Sequence, residues 1–295
     1  MTATVSFPID SPTGPRTVTL AHERKGAGEP LLLLHGIGHH LQAWHPVTDL
    51  LAAEYEVIAV DLPGFGASDP LPDRVPYDLD TIAPALGALC SALGVTTPHV
   101  AGNSLGGLLA LEMGRVGLVR SVTALSPAGF WTETERRYAF TALRAMRAGA
   151  RALPLPLLER LSRSAAGRAA LTGTIYARPA RRAPEAVVAE TLALRGATGF
   201  ERTLAAGGAV RFTADVPDLP VTIAWGSGDR LLLPRQGVRA KYTVPGARLV
   251  RLPGCGHVPM HDDPALVARV VLDTARAAGS GPTPGAGEGA AADRR

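Results

Sequence analysis

Short apolar runs of strand length alternate with segments of helical periodicity along most of the chain. A strand that is buried on both faces reads as an almost continuous apolar run, and the helices between parallel strands cover the sheet. The alternation therefore predicts an α/β fold with a mostly parallel eight-stranded sheet flanked by helices. The predicted strands are residues 2–8, 17–23, 30–35, 55–61, 99–103, 119–126, 221–225 and 248–252.

The first two predicted strands come before any good helical segment. We therefore expect them to form an antiparallel hairpin at one edge of the sheet. The predicted helices that flank the sheet are residues 79–93, 105–116 and 264–278.

The alternation of strand and helix segments stops between residues 131 and 213, where helical stretches rich in Ala, Leu and Arg are interrupted by prolines. This change predicts a helical insertion that caps the sheet. Residues 1–130 and 214–278 would then form the core, and residues 131–213 the cap. The last segment, residues 279–295, is dominated by Gly, Ala and Pro and is predicted to be a disordered tail.

The composition places the chain among globular proteins. It has 295 residues, of which 46% are hydrophobic and 19% charged, which suffices for a large core. We find no basic start followed by an apolar run, and no stretch of about 20 apolar residues that would span a bilayer. We therefore expect a cytoplasmic monomer or homodimer that does not act at a membrane.

The formal net charge of +4 raises the possibility of a nucleic-acid partner. The arginines, however, are scattered among Ala and Leu without interleaved aromatic residues, so we expect no such partner. Cys90 and Cys255 provide neither a disulfide framework nor a repeated metal-ligand spacing, and we expect both to be reduced.

A serine stands at the junction of a predicted strand and a predicted helix. Ser104 follows the strand 99–103, and glycines lie two positions before and after it, at Gly102 and Gly106. A nucleophile at such a sharp turn is lifted above the sheet, and the glycines let strand and helix approach without a clashing Cβ. The segment predicts that Ser104 is a catalytic nucleophile.

A serine hydroxyl is a weak nucleophile at neutral pH and needs a base that is held in one tautomer. His257 follows the last predicted strand in a glycine-rich loop, and Asp229 follows the preceding strand. The order Ser, Asp, His is the one that this architecture uses. We expect His257 to be the general base and Asp229 the acid that orients it. The nearby His261 is expected to belong to the start of the last helical region.

Acyl transfer also needs backbone N–H groups that face the developing oxyanion. The amide of Leu105, directly after the nucleophile, is one expected donor, and the amide of Ile37, in the loop after the third strand, is the other. In the same loop we expect Gly36 and His39 to contact substrate. Phe130 and Trp131, at the start of the insertion, are the remaining expected substrate contacts.

A metal site is one hypothesis for the closely spaced histidines His35, His39, His40 and His45. Their spacing matches no familiar metal site and no nearby carboxylate completes it, so we expect no metal. The segment that begins at Asp61 contains part of a dinucleotide motif, but the helix start and second acid are missing. We interpret it as a structural turn and expect no cofactor.

Together these motifs resemble those of the α/β-hydrolase superfamily over about residues 30–278. The landmarks are the His-Gly loop at His35, Asp-Leu-Pro-Gly-Phe-Gly-Ala-Ser at 61–68, the elbow at Ser104, Gly-Ser-Gly-Asp at 226–229 and Gly-His-Val-Pro at 256–259. Within the superfamily the chain is similar to the small, lidded esterase and carbon–carbon-bond hydrolase branch.

Two comparisons within the superfamily narrow the expected reaction. Haloalkane dehalogenases and epoxide hydrolases carry Asp where this chain has Ser104. Hydrolases of ring-cleavage products usually have Trp after the catalytic histidine, whereas this chain has Val258. The resemblance therefore implies hydrolysis of an ester or thioester through an acyl-enzyme, and Phe130 and Trp131 suggest that this substrate is small or medium in size and apolar.

Other functions remain open at this stage. The same fold and residues could serve carbon–carbon-bond hydrolysis, a lyase or a peroxidase-like reaction, and a non-catalytic ligand receptor is the alternative from a different class. The excess of arginine between residues 131 and 213 suggests a further hypothesis, a preference for anionic substrates. The candidates to bind a substrate carboxylate are Arg136, Arg137, Arg144 and Arg147.

Overall fold

A computed structural model describes residues 1–11, 14–216 and 218–279. These residues form one sheet of eight strands, whose bounds agree with the predicted strands to within three residues. The strands are β1 (Ala3–Ile9), β2 (Arg16–Lys25), β3 (Pro30–Leu34), β4 (Glu56–Val60), β5 (His99–Asn103), β6 (Ser121–Leu125), β7 (Val221–Gly226) and β8 (Arg248–Leu252).

The same residues form eleven α-helices. They are α1 (His45–Ala52), α2 (Leu79–Ala92), α3 (Leu105–Arg115), α4 (Glu133–Ala152), α5 (Leu155–Ser162), α6 (Ala165–Thr172), α7 (Pro184–Gly196), α8 (Phe200–Ala206), α9 (Arg235–Thr243), α10 (Pro259–Asp262) and α11 (Pro264–Gly279).

The strand order across the sheet is β1-β2-β4-β3-β5-β6-β7-β8. Strands β3 to β8 pair in parallel, whereas β1 pairs antiparallel with β2, and β2 antiparallel with β4. The predicted α/β fold with a mostly parallel eight-stranded sheet is therefore confirmed. The edge position of the antiparallel hairpin was also predicted correctly.

The centre of the sheet consists of short strands that are buried on both faces. All five residues of β5 and of β6 are buried, as are Leu31, Leu32, Leu33 and Leu34 of β3. Helix α3 lies directly on these strands and buries every residue from Gly106 to Gly114. The parallel strands end at one edge of the sheet, so the loops after β3, β5, β7 and β8 converge there.

Five helices, α4 to α8, lie between β6 and β7, in the region predicted to be a helical insertion. The first of them begins with a capping box, in which the side chains of Thr132 and Glu135 bond each other's backbone N–H. Residues of α4, α6 and α7 line a cavity together with Ser104 and His257. These helices therefore lie over the edge where the parallel strands end.

Helix α9 was not predicted from the sequence. It buries only Gln236, Gly237 and Ala240, so it lacks the apolar stripe on which a helical prediction depends. The predicted tail, residues 279–295, lies outside the described residues except for Gly279, with which α11 ends. Among the helices of the described residues, none is long and apolar enough to cross a membrane.

The close contact between α3 and the sheet leads to a stability prediction. A Cβ on Gly106 would lie 2.1 Å from the carbonyl oxygen of Leu34, so Gly106→Ala should lower the free energy of unfolding by about 3 kcal/mol. Gly149, inside α4, has no atom within 4 Å of the corresponding position. Gly149→Ala should raise stability by up to about 1 kcal/mol. Urea denaturation measures both values, and similar changes in the two variants would contradict this account.

Candidate active site

Ser104 sits at a strained turn between β5 and α3. Its backbone has φ 57° and ψ −113°, in a region that non-glycine residues rarely adopt. Hydrogen bonds hold this conformation, because the Ser104 N–H donates to the Leu125 oxygen at 2.9 Å and its carbonyl accepts from the N–H groups of Leu108 and Ala128, both at 3.0 Å. The sharp turn matches the one predicted from the glycine spacing.

Glycines around the turn allow three backbone segments to meet. A Cβ on Gly102 would lie 2.0 Å from the Gly106 oxygen, so this side of the turn has no room for any other residue. A Cβ on Gly36 would come within 3.1 Å of the Ser104 Cβ. The loop after β3 therefore packs directly on the serine, as its predicted role requires.

Asp229 and His257 form a buried hydrogen-bonded pair. The Nδ1 atom of His257 lies 2.8 Å from Oδ2 of Asp229, and the exposed fractions of the two side chains are 4% and 0%. The other oxygen of Asp229 accepts from the N–H groups of Leu231 and Leu232, both at 2.9 Å. Because the carboxylate is an acceptor, Nδ1 carries the hydrogen and Nε2 is left for another partner.

His257 and Ser104 line the same cavity, and Asp229 is bonded to His257, so the structure brings the three residues of the predicted triad to one place.

Two further residues, which the sequence analysis did not identify, fix the histidine loop. Asn103 Nδ2 donates to the carbonyl oxygens of Leu125 and His257, at 3.1 and 2.9 Å. The carboxylate of Asp262 accepts from the N–H of Gly256 at 2.8 Å. A polar side chain at a fully buried strand position was the available signal for Asn103.

Asp262 also connects the histidine loop to the helical insertion. Its carboxylate accepts from the N–H groups of Ala177 and Arg178, at 3.0 and 2.9 Å, and both residues lie between α6 and α7. The position of His257 therefore depends on contacts with the insertion as well as on the sheet.

The two expected oxyanion donors lie beside Ser104. Ile37 and Leu105 line a cavity together with Ser104. Within the part of the chain that the structure describes, neither the Ile37 nor the Leu105 amide N–H has a hydrogen-bond acceptor. Leu105 is also the first residue of α3, so its N–H lies at the positive end of the helix dipole. Both amides are therefore available to an oxygen bound at this point.

His35 fixes the loop that carries Ile37. Its ring is fully buried, with Nδ1 2.7 Å from the Gly36 oxygen, and Nε2 accepts from the Leu62 N–H at 2.9 Å. Burial lowers the pKa of His35 to about 4, so the ring is neutral at pH 7. The neighbouring Asp61 accepts from the N–H groups of Leu41 and Ala67. The segment at 61–68 is thus a structural turn that supports this loop.

Two cavities adjoin at Ser104, and we call them lobe A and lobe B. Lobe A has an empty volume of about 630 Å³ and lobe B of about 490 Å³, each including its open mouth. Both are lined by Ile37, Ser104, Leu143 and Leu231. Lobe B is otherwise almost entirely apolar, whereas lobe A also contains His39, Thr172, Glu190 and Thr191.

The structure places the expected substrate contacts in different parts of the molecule. Gly36 and His39 line lobe A, and Trp131 lines lobe B. Phe130, by contrast, lines neither lobe. Its ring packs instead against Phe212, with the ring centres 5.7 Å apart, so it belongs to the core beneath the insertion.

The four arginines proposed to bind a substrate carboxylate also line neither lobe. Arg136 and Arg137 both pair with Glu133 at the surface, and Arg144 is exposed. Arg147 is buried, but its guanidinium donates to the carbonyl oxygens of Leu194 and Ala197. The face of α4 that reaches the cavities carries Leu143 and Met146 instead.

Two histidines of the metal hypothesis, His35 and His45, have separate hydrogen-bond partners. His45 pairs with Glu23 at the surface, at 2.8 Å, and His35 is used within the loop after β3. Over residues 1–11, 14–216 and 218–279, no group of three or more His, Cys, Asp or Glu side chains is arranged to hold a metal ion.

The model of the alpha/beta hydrolase family matches residues 31–270, so this chain belongs to that family. The resemblance seen in the sequence motifs is thereby confirmed. An uncharacterized protein of Mycobacterium tuberculosis is 29% identical over 261 residues, which cover 83% of this chain and 75% of the relative. The pimeloyl-(acyl-carrier protein) methyl ester esterase of Aeromonas hydrophila is 41% identical over 96 residues, 32% of this chain and 36% of the esterase.

Solved structures share the fold over nearly the whole chain. A thermophilic esterase from Thermogutta terrifontis superposes with a TM-score of 0.75 and 20% identity, covering 94% of this chain and 99% of the esterase. A meta-cleavage product hydrolase from Pseudomonas fluorescens superposes with a TM-score of 0.70 and 19% identity, covering 93% and 98% of the two chains. At these identities the likeness establishes the fold alone.

The buried histidines predict how stability depends on pH. Burial lowers the pKa of His35 to about 4 and of His261 to about 3, from 6.5. Below pH 6.5 the unfolded chain therefore binds protons that the folded chain does not, and the free energy of unfolding falls as the pH decreases. The fall should approach 1.4 kcal/mol per pH unit for each such histidine.

Urea denaturation between pH 7.5 and 5 measures this slope. His35→Gln removes one of the titrating groups, so its slope should be shallower than that of the wild type, whatever its stability at pH 7.5. Parallel slopes for the two proteins would show that His35 is not held neutral in the folded chain.

Proposed function

We propose that this protein is a serine hydrolase that cleaves a small or medium apolar ester or thioester through an acyl-enzyme, without a cofactor. The observation that carries the proposal is the buried hydrogen bond between Asp229 and His257, in a cavity that Ser104 also lines. A histidine held with Nδ1–H on a carboxylate presents Nε2 as a base, which is what a serine nucleophile requires.

In the first step His257 Nε2 takes the proton of the Ser104 hydroxyl as its oxygen attacks the carbonyl carbon. The N–H groups of Ile37 and Leu105 stabilise the oxyanion that forms. When the tetrahedral intermediate collapses, the bond to the alcohol or thiol breaks, and His257 returns the proton to this leaving group. Asp229 remains a carboxylate and stabilises the imidazolium.

In the second step water replaces the leaving group. His257 accepts a proton from the water as it attacks the acyl carbonyl, and the same two amides hold the oxyanion. Collapse of this intermediate breaks the bond to Ser104, which recovers its proton from His257 and releases the acid. The carboxylate of Asp229 balances the charge on the histidine in both steps.

The two lobes suggest how a substrate is placed. Because lobe A and lobe B adjoin at Ser104, an ester bound with its carbonyl at the serine can extend one group into each lobe. The apolar lining favours alkyl or aryl groups. We further propose that residues 131–213 act as a cap on a core of residues 1–130 and 214–278. Leu143 and Met146 of α4, which line the substrate cavity, support this role.

The nucleophile is tested with a panel of nitrophenyl esters graded in acyl length. The wild type should hydrolyse at least one of them, and Ser104→Ala should lose almost all of that turnover, because the attacking oxygen is removed. Ser91→Ala, at an exposed serine of α2, is the matched control and should be fully active. Turnover that survives in Ser104→Ala would exclude this serine as the nucleophile.

The orienting acid is tested by a substitution that keeps the shape of the side chain. Asp229→Asn should lower kcat by about ten-thousandfold, because an amide favours the wrong tautomer of His257. Asp73→Asn, at the exposed surface, should leave kcat unchanged. Steady-state kinetics on the best ester of the panel measures both. A loss of less than about tenfold in Asp229→Asn would mean that another group orients the histidine.

A further inference from the structure

Lobe A carries four polar side chains besides Asn103, Ser104 and His257, and we call the part of the cavity that they line its polar end. Its lining there comprises His39 from the loop after β3, Thr172 at the end of α6, and Glu190 and Thr191 of α7. The mechanism proposed above uses none of these side chains. Both threonine hydroxyls donate to carbonyl oxygens of their own helices, so they can offer a ligand only an acceptor.

Glu190 has one satisfied and one unsatisfied oxygen. Oε1 accepts from the Tyr176 hydroxyl at 2.9 Å and from the guanidinium of Arg182. Oε2 is buried and has no hydrogen-bond partner among the described residues. A buried carboxylate oxygen is costly to leave without a donor, so this atom indicates that a donor from outside the chain binds here.

Three other side chains of this region also carry a buried polar atom without a hydrogen-bond partner. Nδ1 of His39, which lines lobe A, is buried and unpartnered within the described residues, as are Nε2 of His261 and Nε of Arg182. Arg182 is held in place by the Tyr176 ring, whose centre lies 4.4 Å from its guanidinium carbon. Glu190 and Arg182 thus hold each other in place while each keeps an orphaned atom, which is typical of a preorganised binding site.

The charges of this cluster determine what can bind. The guanidinium of Arg182 already balances the charge of Glu190. Burial lowers the pKa of His39 well below 6.5, and that of His261 to about 3, so both rings are neutral at pH 7. The other buried acid, Asp262, is occupied by three backbone N–H groups. A bound carboxylate would therefore face Glu190 without a free cation, and an ammonium would add a buried positive charge.

An uncharged group that both donates and accepts fits this end of the cavity. A hydroxyl can donate to Oε2 of Glu190 without adding a charge, and its oxygen can accept from a ring N–H of a neutral histidine such as His39, which lines the same cavity. We propose that the polar end of lobe A binds a substrate hydroxyl, so that the preferred esters carry a hydroxyl remote from the bond that is cleaved. This inference rests on the proposed function, whose substrate class it specifies.

The proposal is tested first on the wild type with matched esters that differ only at the far end of one chain. Each set ends in a methyl, a hydroxyl or a carboxylate group, over several chain lengths, with the variable chain on the acyl side in one series and on the alcohol side in the other. At one length in one series, kcat/KM should be about tenfold higher for the hydroxyl than for the methyl ester. Equal values throughout, or a preference for the carboxylate, would overturn the proposal.

A variant then assigns the preference to Glu190. In Glu190→Gln the ratio of kcat/KM for the hydroxyl and methyl esters should fall about tenfold, since a charged acceptor is replaced by a neutral amide. Glu185→Gln, at an exposed glutamate of the same helix, should keep the wild-type ratio. A ratio that is unchanged in a folded Glu190→Gln protein would overturn the proposal. If that variant does not fold, the comparison of hydroxyl and methyl esters on the wild type decides whether the proposal holds.

A binding measurement separates failure of this proposal from failure of the proposed function. The Tm of the wild type is measured with alkane diols and with alkanols of the same length. The diols should give the larger increase whether or not any ester is turned over. If no ester is hydrolysed but diols still protect better, the esterase proposal fails and the hydroxyl site stands. Equal protection by the two ligands would overturn the hydroxyl site.

Discussion

The close backbone contact among β3, β5 and α3 is the constraint on which the rest of the site depends. Gly102 and Gly106 allow this contact, because a Cβ on either would lie about 2 Å from a carbonyl oxygen. The contact holds Ser104 at a φ of 57°. It also brings the loop of Ile37 against the serine, so the candidate nucleophile and the two amides beside it are positioned by one packing arrangement. The same arrangement leaves the amide N–H of Leu105 without an internal acceptor.

The histidine reaches this turn through a second set of contacts. Asp229 fixes the ring of His257, Asn103 holds its backbone carbonyl, and Asp262 bonds the N–H of Gly256. Because Asp262 also bonds two N–H groups of the insertion, the same carboxylate joins the insertion to the histidine loop. The position of the base is thus linked to the insertion, whose helices α6 and α7 also carry Thr172, Glu190 and Thr191 of the polar end of lobe A.

The sequence predicts the centre of the sheet well, because strands buried on both faces leave continuous apolar runs. It also identifies Ser104, Asp229 and His257 as candidates, because each follows a strand and strand ends meet at one edge. The sequence does not show which neighbour a side chain contacts when several are within reach. Phe130 was expected in the cavity, but Phe212 packs against it. Four arginines of α4 were candidates to bind a substrate carboxylate, yet Arg136 and Arg137 pair with Glu133 and Arg147 donates to two backbone carbonyls. The grouping of Tyr176, Arg182 and Glu190 leaves no sequence signal, because it depends on how the segment between α6 and α7 folds back on α7.

The central claim is that Ser104 is activated by His257. Incubation of the wild type with a fluorophosphonate, followed by peptide mapping by mass spectrometry, tests it most directly, because only an activated hydroxyl reacts quickly with this reagent. The account predicts a single adduct on the peptide that contains Ser104, formed at a rate that falls sharply in a folded His257→Gln variant. An adduct on another residue, or labelling of Ser104 at the same rate without His257, would contradict it.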